Sequence, residues 1–324
     1  MSNSSDVAWS SLVSRSIAAW DDLISDEQPV PIDLHKNLLR EYHSLDEFLV
    51  ESPKLLTFWF FQRRSAFISQ KRFKKWSRED LDDLVLIPAS PGYVWRTDCF
   101  FVSHFWRSRE HPDPDGTTLR LHQAELEPQT WSYIWVDWTC MPQHPRSPSE
   151  QKYFSRGLRT MSGIIRNTGF IYFYPPFKPR LWILYEIAEY HLTCVGGIQK
   201  TPDIEPFLQH INEMIEKGVL ETLAKHHYDC YEDYDRQFLT SWLELLVLFR
   251  RLEINIDFIR KIMDHMTWFN VLGDQVYPGL KLNRYEGRLV YLGNELTFTP
   301  FPKWEDEPDS LDLMAQCREG MIVL

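Results

Sequence analysis

Trp182 and Glu186 stand four residues apart in Arg180-Leu-Trp-Ile-Leu-Tyr-Glu-Ile-Ala-Glu-Tyr190. The segment predicts a helix, which puts the two side chains on one face. A carboxylate beside an indole suits chemistry in which positive charge develops, such as glycosidic cleavage through an oxocarbenium-like state. A core Trp and a solvated surface acid fit the same pattern. Tyr185 and Glu189 repeat the spacing on the same helix, a second pair of side chains on one face. Ser103 is the candidate nucleophile or phosphate ligand at a strand end, or it caps the next turn. Asp137 ends a second strand, where it orients a ribose hydroxyl or a cationic group, or caps the Trp138-Thr-Cys turn. His104 and His111 are acid/base types without a partner at fixed spacing. Trp106, Trp135 and Trp138 have faces on which a planar ring stacks, although strand parity turns Trp135 into the core.

These side chains need a scaffold. Residues 1–97 predict a helical N-terminal cap, with helices near 8–25, 32–51 and 54–76 broken at Pro29, Pro31 and Pro53, and a capping box at Ser77 and Asp80 opening another. From Asp98 short apolar strands alternate with helical patterns, the signature of a parallel sheet with crossover helices. The expected strands are 99–103, 133–137 and 170–174, and the expected helices lie near 117–127 and 150–166. Residues 98–200 are thus expected to form an α/β core, one parallel sheet with 99–103 at or near its centre and ligands at its carboxyl edge. Residues 201–324 predict helices near 203–224, 233–252 and 255–269, a hairpin around Leu292-Gly-Asn294 and an acidic tail at Glu305-Asp-Glu-Pro-Asp309.

Five blocks in order carry a resemblance: Phe101-Val-Ser-His-Phe-Trp106, His111-Pro-Asp-Pro-Asp-Gly116, Ile134-Trp-Val-Asp-Trp-Thr-Cys-Met-Pro-Gln143, Glu150, and Leu181-Trp-Ile-Leu-Tyr-Glu186. Between Asp98 and Leu192 the chain resembles the fungal heterokaryon-incompatibility domain, a family similar in fold to Toll/interleukin-receptor (TIR) domains. The resemblance implies a flavodoxin-like, TIR-type sheet. It also implies cleavage of the nicotinamide–ribose bond of NAD, because in TIR-like enzymes a Trp-x-x-x-Glu helix supplies the glutamate; here that is Glu186, with Trp182 its partner. The commoner family pattern has Tyr where His104 stands and Ile-Asn where Met141-Pro142 stands. Ser103 with Tyr185 and Glu189 is in turn similar to tRNA-dependent cyclodipeptide synthases, including the fungal arginine-containing ones, which would make the substrate an aminoacyl-tRNA in secondary metabolism. A third expectation is a non-catalytic self-association or signalling module, which leaves room for a homo-oligomer.

The net charge of −11 argues against a general nucleic-acid coat. Locally the sign reverses: Arg63, Arg64, Lys71, Arg72, Lys74, Lys75 and Arg78 interleave with Phe67, Phe73 and Trp76, which suits either RNA contact, if the chain is a synthase, or a solvated face with its rings in the core. The five cysteines are scattered, and no charged-then-apolar leader opens the sequence; both predict a reduced, cytoplasmic protein. The longest apolar runs are too short for a membrane span. No Gly-rich dinucleotide fingerprint or phosphate loop is present. His226-His-Tyr-Asp-Cys230 has metal-ligand types but lacks a second distant pair, so no metal and no permanently bound cofactor are expected, NAD entering as a substrate.

Overall fold

A computed structural model of the chain describes residues 4–23, 32–50, 58–89, 93, 98–269, 271–273 and 277–303. The chain divides into two compact units that part between Tyr172 and Phe173. The first contains α1 (Ser4–Leu23), α2 (Ile32–Glu41), α3 (Leu45–Val50), β1 (Phe58–Arg63), α4 (Arg64–Ser69), β2 (Leu84–Pro88), β3 (Cys99–His104), α5 (Thr117–Leu126), β4 (Tyr133–Trp135), α6 (Asp137–Cys140), α7 (Pro148–Asn167) and β5 (Gly169–Phe173).

The protein is mixed α/β, with five strands in the order β2-β1-β4-β3-β5. β3 and β4 run parallel, Cys99 opposite Tyr133 and Phe101 opposite Trp135. β1 runs antiparallel to β2 along Phe58–Gln62 and antiparallel to β4 at Gln62–Arg63. This corrects the expectation of a wholly parallel sheet, because the supposed N-terminal helical cap contributes two of its strands. Phe58-Trp-Phe-Phe61 is a short continuous apolar run, which periodicity cannot assign to helix or strand. Aromatic residues favour a pleated, buried surface, and all four are buried here. Leu84-Val-Leu-Ile-Pro88 is likewise buried throughout. Ser77 and Asp80 form a turn before a short 3₁₀ segment at Leu81–Asp83, whereas the capping box belongs to Ser147 and Glu150 at the start of α7.

Phe100 and Val102 of β3 pack on Phe67, Phe73, Leu119, Ile134, Val136 and Trp138. By strand alternation Phe101 faces the other side, stacked flat on Trp135 at 5.0 Å and on Phe170 at 5.7 Å. The β1–β4 ladder is so short that, among the described residues, Phe58 to Phe60 has no strand on that side. Tyr153 of α7 fills the gap, its hydroxyl accepting from the Phe60 N–H at 3.1 Å and donating to the Phe58 carbonyl at 3.0 Å.

The second unit is built on α8 (Leu181–Thr193), α9 (Glu205–Lys217), α10 (Val219–Lys225), α11 (Asp233–Arg251) and α12 (Ile256–Trp268), with α8 packed on α9, α11 and α12. A four-stranded antiparallel meander follows, β6 (Val271–Leu272), β7 (Leu280–Asn283), β8 (Arg288–Tyr291) and β9 (Asn294–Thr297). The expected hairpin is its last turn, with Leu292 and Gly293 both at positive φ (49° and 85°), the geometry that matches strand twist in a two-residue loop. The acidic tail lies outside the described residues.

Removing the Tyr153 hydroxyl leaves a buried strand N–H and C=O unpaired, so Tyr153→Phe is expected to lower stability by about 1–3 kcal/mol. A lower denaturant midpoint with an unchanged slope checks this.

Candidate functional site

Because β3 and β4 are parallel, their carboxyl ends lie at the same edge of the sheet, and the chain delivers His104 and Asp137 there. Asp137 Oδ1 accepts from His104 Nε2 at 2.8 Å and from the Trp138 backbone N–H at 2.6 Å, while Oδ2 accepts from Trp106 Nε1 at 2.8 Å. Gln143 Nε2 donates to the Asp137 carbonyl at 2.7 Å, closing the turn after α6. Trp106 stands edge-on to Trp138 at 5.2 Å. The His104 side chain is 2% exposed and that of Asp137 34%, so the carboxylate meets solvent while the imidazole orients it from behind. Ser103 is 1% exposed, and alternation along β3 turns it to the opposite face from His104. The two residues do not share a site.

The loop before α5 is fixed by charge. Asp113, fully buried, accepts from the backbone N–H groups of Thr118 (3.1 Å) and Leu119 (2.9 Å) and pairs with Arg107. A carboxylate on the first amides of a helix is a favourable placement. His111 Nδ1 accepts from the Asp113 N–H at 2.9 Å and Nε2 donates to the Phe73 carbonyl at 3.0 Å, so His111 is the neutral Nε2–H tautomer; burial lowers its pKa in keeping with that. Gly116 has φ +70°, and a Cβ there would meet the Lys71 carbonyl oxygen at 2.5 Å, so only glycine fits. Asp113 is signalled in the sequence by Asp-x-Asp-Gly ahead of a helical pattern. His122 of α5 carries no such signal: it is 1% exposed, has no hydrogen-bond partner for either nitrogen among the described residues, and burial lowers its pKa to about 3.

In the second unit, α8 separates its candidates by burial. Trp182 and Glu186 are half-buried. Tyr185 and Glu189 are fully buried, Glu189 Oε2 accepting from Trp242 Nε1 of α11 at 2.5 Å and Tyr185 lying edge-on between Trp182 and Trp242. Trp182 Nε1 donates to Asp235 Oδ2 at 3.3 Å.

The basic run is used largely at home. Arg63 and Arg64 donate to the carbonyls of Asp82 and Glu127, Lys74 pairs with Asp80 and Asp83, and Arg78 pairs with Asp46 and Glu150. Phe67, Phe73 and Trp76 are buried. Lys71, Arg72 and Lys75 are exposed and face no carboxylate partner among the described residues. His226 donates to Glu213 Oε2 at 2.7 Å and stacks on His210 at 3.6 Å. Among the described residues no group of three or more His, Cys, Asp or Glu side chains is placed to hold a metal ion, and no helix is long and apolar enough to cross a membrane.

Comparison with known proteins yields no matching family model, no similar curated protein and no similar solved structure.

Burial holds the Asp235 carboxyl above its ordinary range, against the opposing hydrogen bond from Trp182. The folded protein therefore keeps a proton that the unfolded chain releases, and this residue's contribution to stability falls as pH rises from the ordinary carboxylate range through the raised folded pKa. Asp235→Asn should remove that loss, so its thermal midpoint should gain on the wild type from acid toward neutral pH.

Proposed function

We propose that the chain is a TIR/heterokaryon-incompatibility-like enzyme acting on a nucleotide-type substrate, with a flavodoxin-like core, and that Glu186 is the carboxylate of an NAD glycohydrolase-type cleavage. The observation that carries this is the division of labour on α8. Of its two acids, Glu189 is fully buried and binds Trp242, while Glu186 is half-buried, one turn from an indole fixed through its Nε1–H. Support also comes from the blocks that carry the resemblance: His104, Trp106, Asp137 and Gln143, far apart in sequence, meet in one hydrogen-bonded corner.

In this mechanism the nicotinamide–ribose bond breaks with its electron pair leaving on nicotinamide. The Glu186 carboxylate stabilises the positive charge that develops on the ribose, and water completes the hydrolysis.

The aminoacyl-transfer alternative draws less support. Ser103, Tyr185 and Glu189 are each 1% exposed or less, whereas a nucleophile and its proton carriers must reach an aminoacyl-tRNA.

Glu186→Gln keeps shape and removes charge. It should retain the thermal midpoint and release nicotinamide from NAD at least about 100-fold more slowly than the wild type. A charged-tRNA mixture forms the parallel arm. If the wild type consumes NAD and the variant matches it, Glu186 is not the catalytic group. If the wild type consumes neither substrate, the self-association module takes the place of the enzyme.

A further inference from the structure

Lys71, Arg72 and Lys75, exposed cations of the basic run, belong to a segment of the first unit that is bonded to the turn carrying Asp137. Residues 73–76 are stitched to that corner by their backbone: the Trp76 N–H donates to the Trp138 carbonyl at 2.9 Å, Thr139 Oγ1 to the Lys74 carbonyl at 2.7 Å, and His111 Nε2 to the Phe73 carbonyl at 3.0 Å. Phe73 and Trp76 point into the core, which leaves Arg72 and Lys75 at the surface beside it. The Lys75 ammonium lies 5.6 Å from the Trp138 ring centre and donates to the His144 carbonyl at 2.8 Å, so its charge is positioned without being neutralised. Arg72 immediately precedes Phe73, whose carbonyl holds the His111 ring 5.4 Å from Trp138. The Lys71 carbonyl packs on Gly116 at the start of α5.

Asp137 is joined to this segment through Trp138, whose backbone N–H it holds and whose ring the Lys75 ammonium faces. An ionised carboxylate offers about four acceptor positions. Three are taken, two on Oδ1 and one on Oδ2, and the remaining position on Oδ2 belongs to a carboxylate that meets solvent. Next to it is the half-buried Trp106 ring, held by the same Oδ2. A fixed anion repels a continuous phosphate backbone but accepts a ribose hydroxyl, as acidic residues do in dinucleotide sites. A cation, a hydroxyl acceptor and an aromatic ring gathered about Trp138 match the three parts of a nucleotide, and a second or third cation on the same segment matches more than one phosphate.

We propose that this corner is a binding site for a nucleoside diphosphate moiety, with Arg72 and Lys75, and Lys71 beside them, taking the phosphates, Asp137 a ribose hydroxyl and Trp106 the base. The inference deepens the nucleotide-substrate reading above and rests on it for the choice of ligand class.

Calorimetric titration of the full chain with ADP, adenosine and inorganic pyrophosphate tests it. ADP should bind at least about tenfold more tightly than adenosine, and the difference should shrink at high salt. Arg72→Glu combined with Lys75→Glu should abolish the preference for ADP while leaving adenosine binding in place. Asp137→Asn should weaken ADP and adenosine but not pyrophosphate; 2′,3′-dideoxy-ADP on the wild type asks the same question without altering the protein. Absence of ADP binding, equal affinity for ADP and adenosine, or an ADP preference that survives the double charge reversal overturns the site. So does salt-sensitive binding of a short single-stranded RNA with no binding of ADP, which would give the cations to RNA. Nicotinamide release that depends on Glu186, without ADP binding, sinks this site and leaves the enzyme; ADP binding without NAD consumption does the reverse.

Discussion

A carboxylate brought to the end of a strand and left half in water is useful only if it is held still, and in this protein the Asp137 carboxylate is held by three donors from three places. His104 comes from the end of β3, Trp106 from the loop beyond it, and the Trp138 amide from the first turn of α6. Charge-assisted bonds are shorter and stronger than neutral ones, so this network fixes the register between two parallel strands whose ladder is only three residue pairs long. It also explains why His104 is tolerated almost wholly buried: one nitrogen of its ring has an anionic acceptor, which offsets part of the desolvation of a polar ring. The turn after α6, the edge-on indoles and the backbone of 73–76 all take their positions from this corner.

In the second unit the comparable constraint is the Trp242–Glu189 bond, in which a fully buried acid accepts from an indole N–H at 2.5 Å. Burial raises the cost of an acid, the indole hydrogen bond offsets part of it, and truncating either partner would strand a polar group in the interior. α8 thus carries two carboxylates in different surroundings, Glu189 fully buried and Glu186 half-buried, a distinction that four-residue spacing alone does not contain.

The expected strands 99–103, 133–137 and 170–174 are found at 99–104, 133–135 and 169–173, the second ending two residues early because Asp137 opens α6; they and the helices α5, α7 and α11 were legible because each is a long periodic pattern or a short apolar run bounded by turn residues. Phe58–Arg63 was not, since its four continuous apolar residues fit a buried strand and a buried helix equally and the polar residues after them extended the helical pattern. Asp137, His104 and Trp106 were legible as residue types, but the pairing of His104 with Asp137 across 33 positions depends on the parallel ladder, which no local spacing encodes. Parity predicted correctly that Trp135 enters the core, and the same parity separates Ser103 from His104. His122 was invisible: its ring sits on the apolar face of α5, where composition gives no sign that its two nitrogens will find no partner.

The hydroxyl of Tyr153 has a consequence beyond the bonds it makes. Phe58-Trp-Phe-Phe61 is the kind of segment, aromatic, uncharged and free of proline, that adds strands from other molecules when its backbone is open. With β2 on one side and the β4 ladder reaching only Gln62 and Arg63 on the other, part of this strand offers an unpaired template. A single phenol on a helix occupies the place where the next copy's backbone would dock. The side chain therefore guards solubility as much as it fastens α7 to the sheet, and while the chain is being made this guard arrives about ninety residues later than the segment it protects.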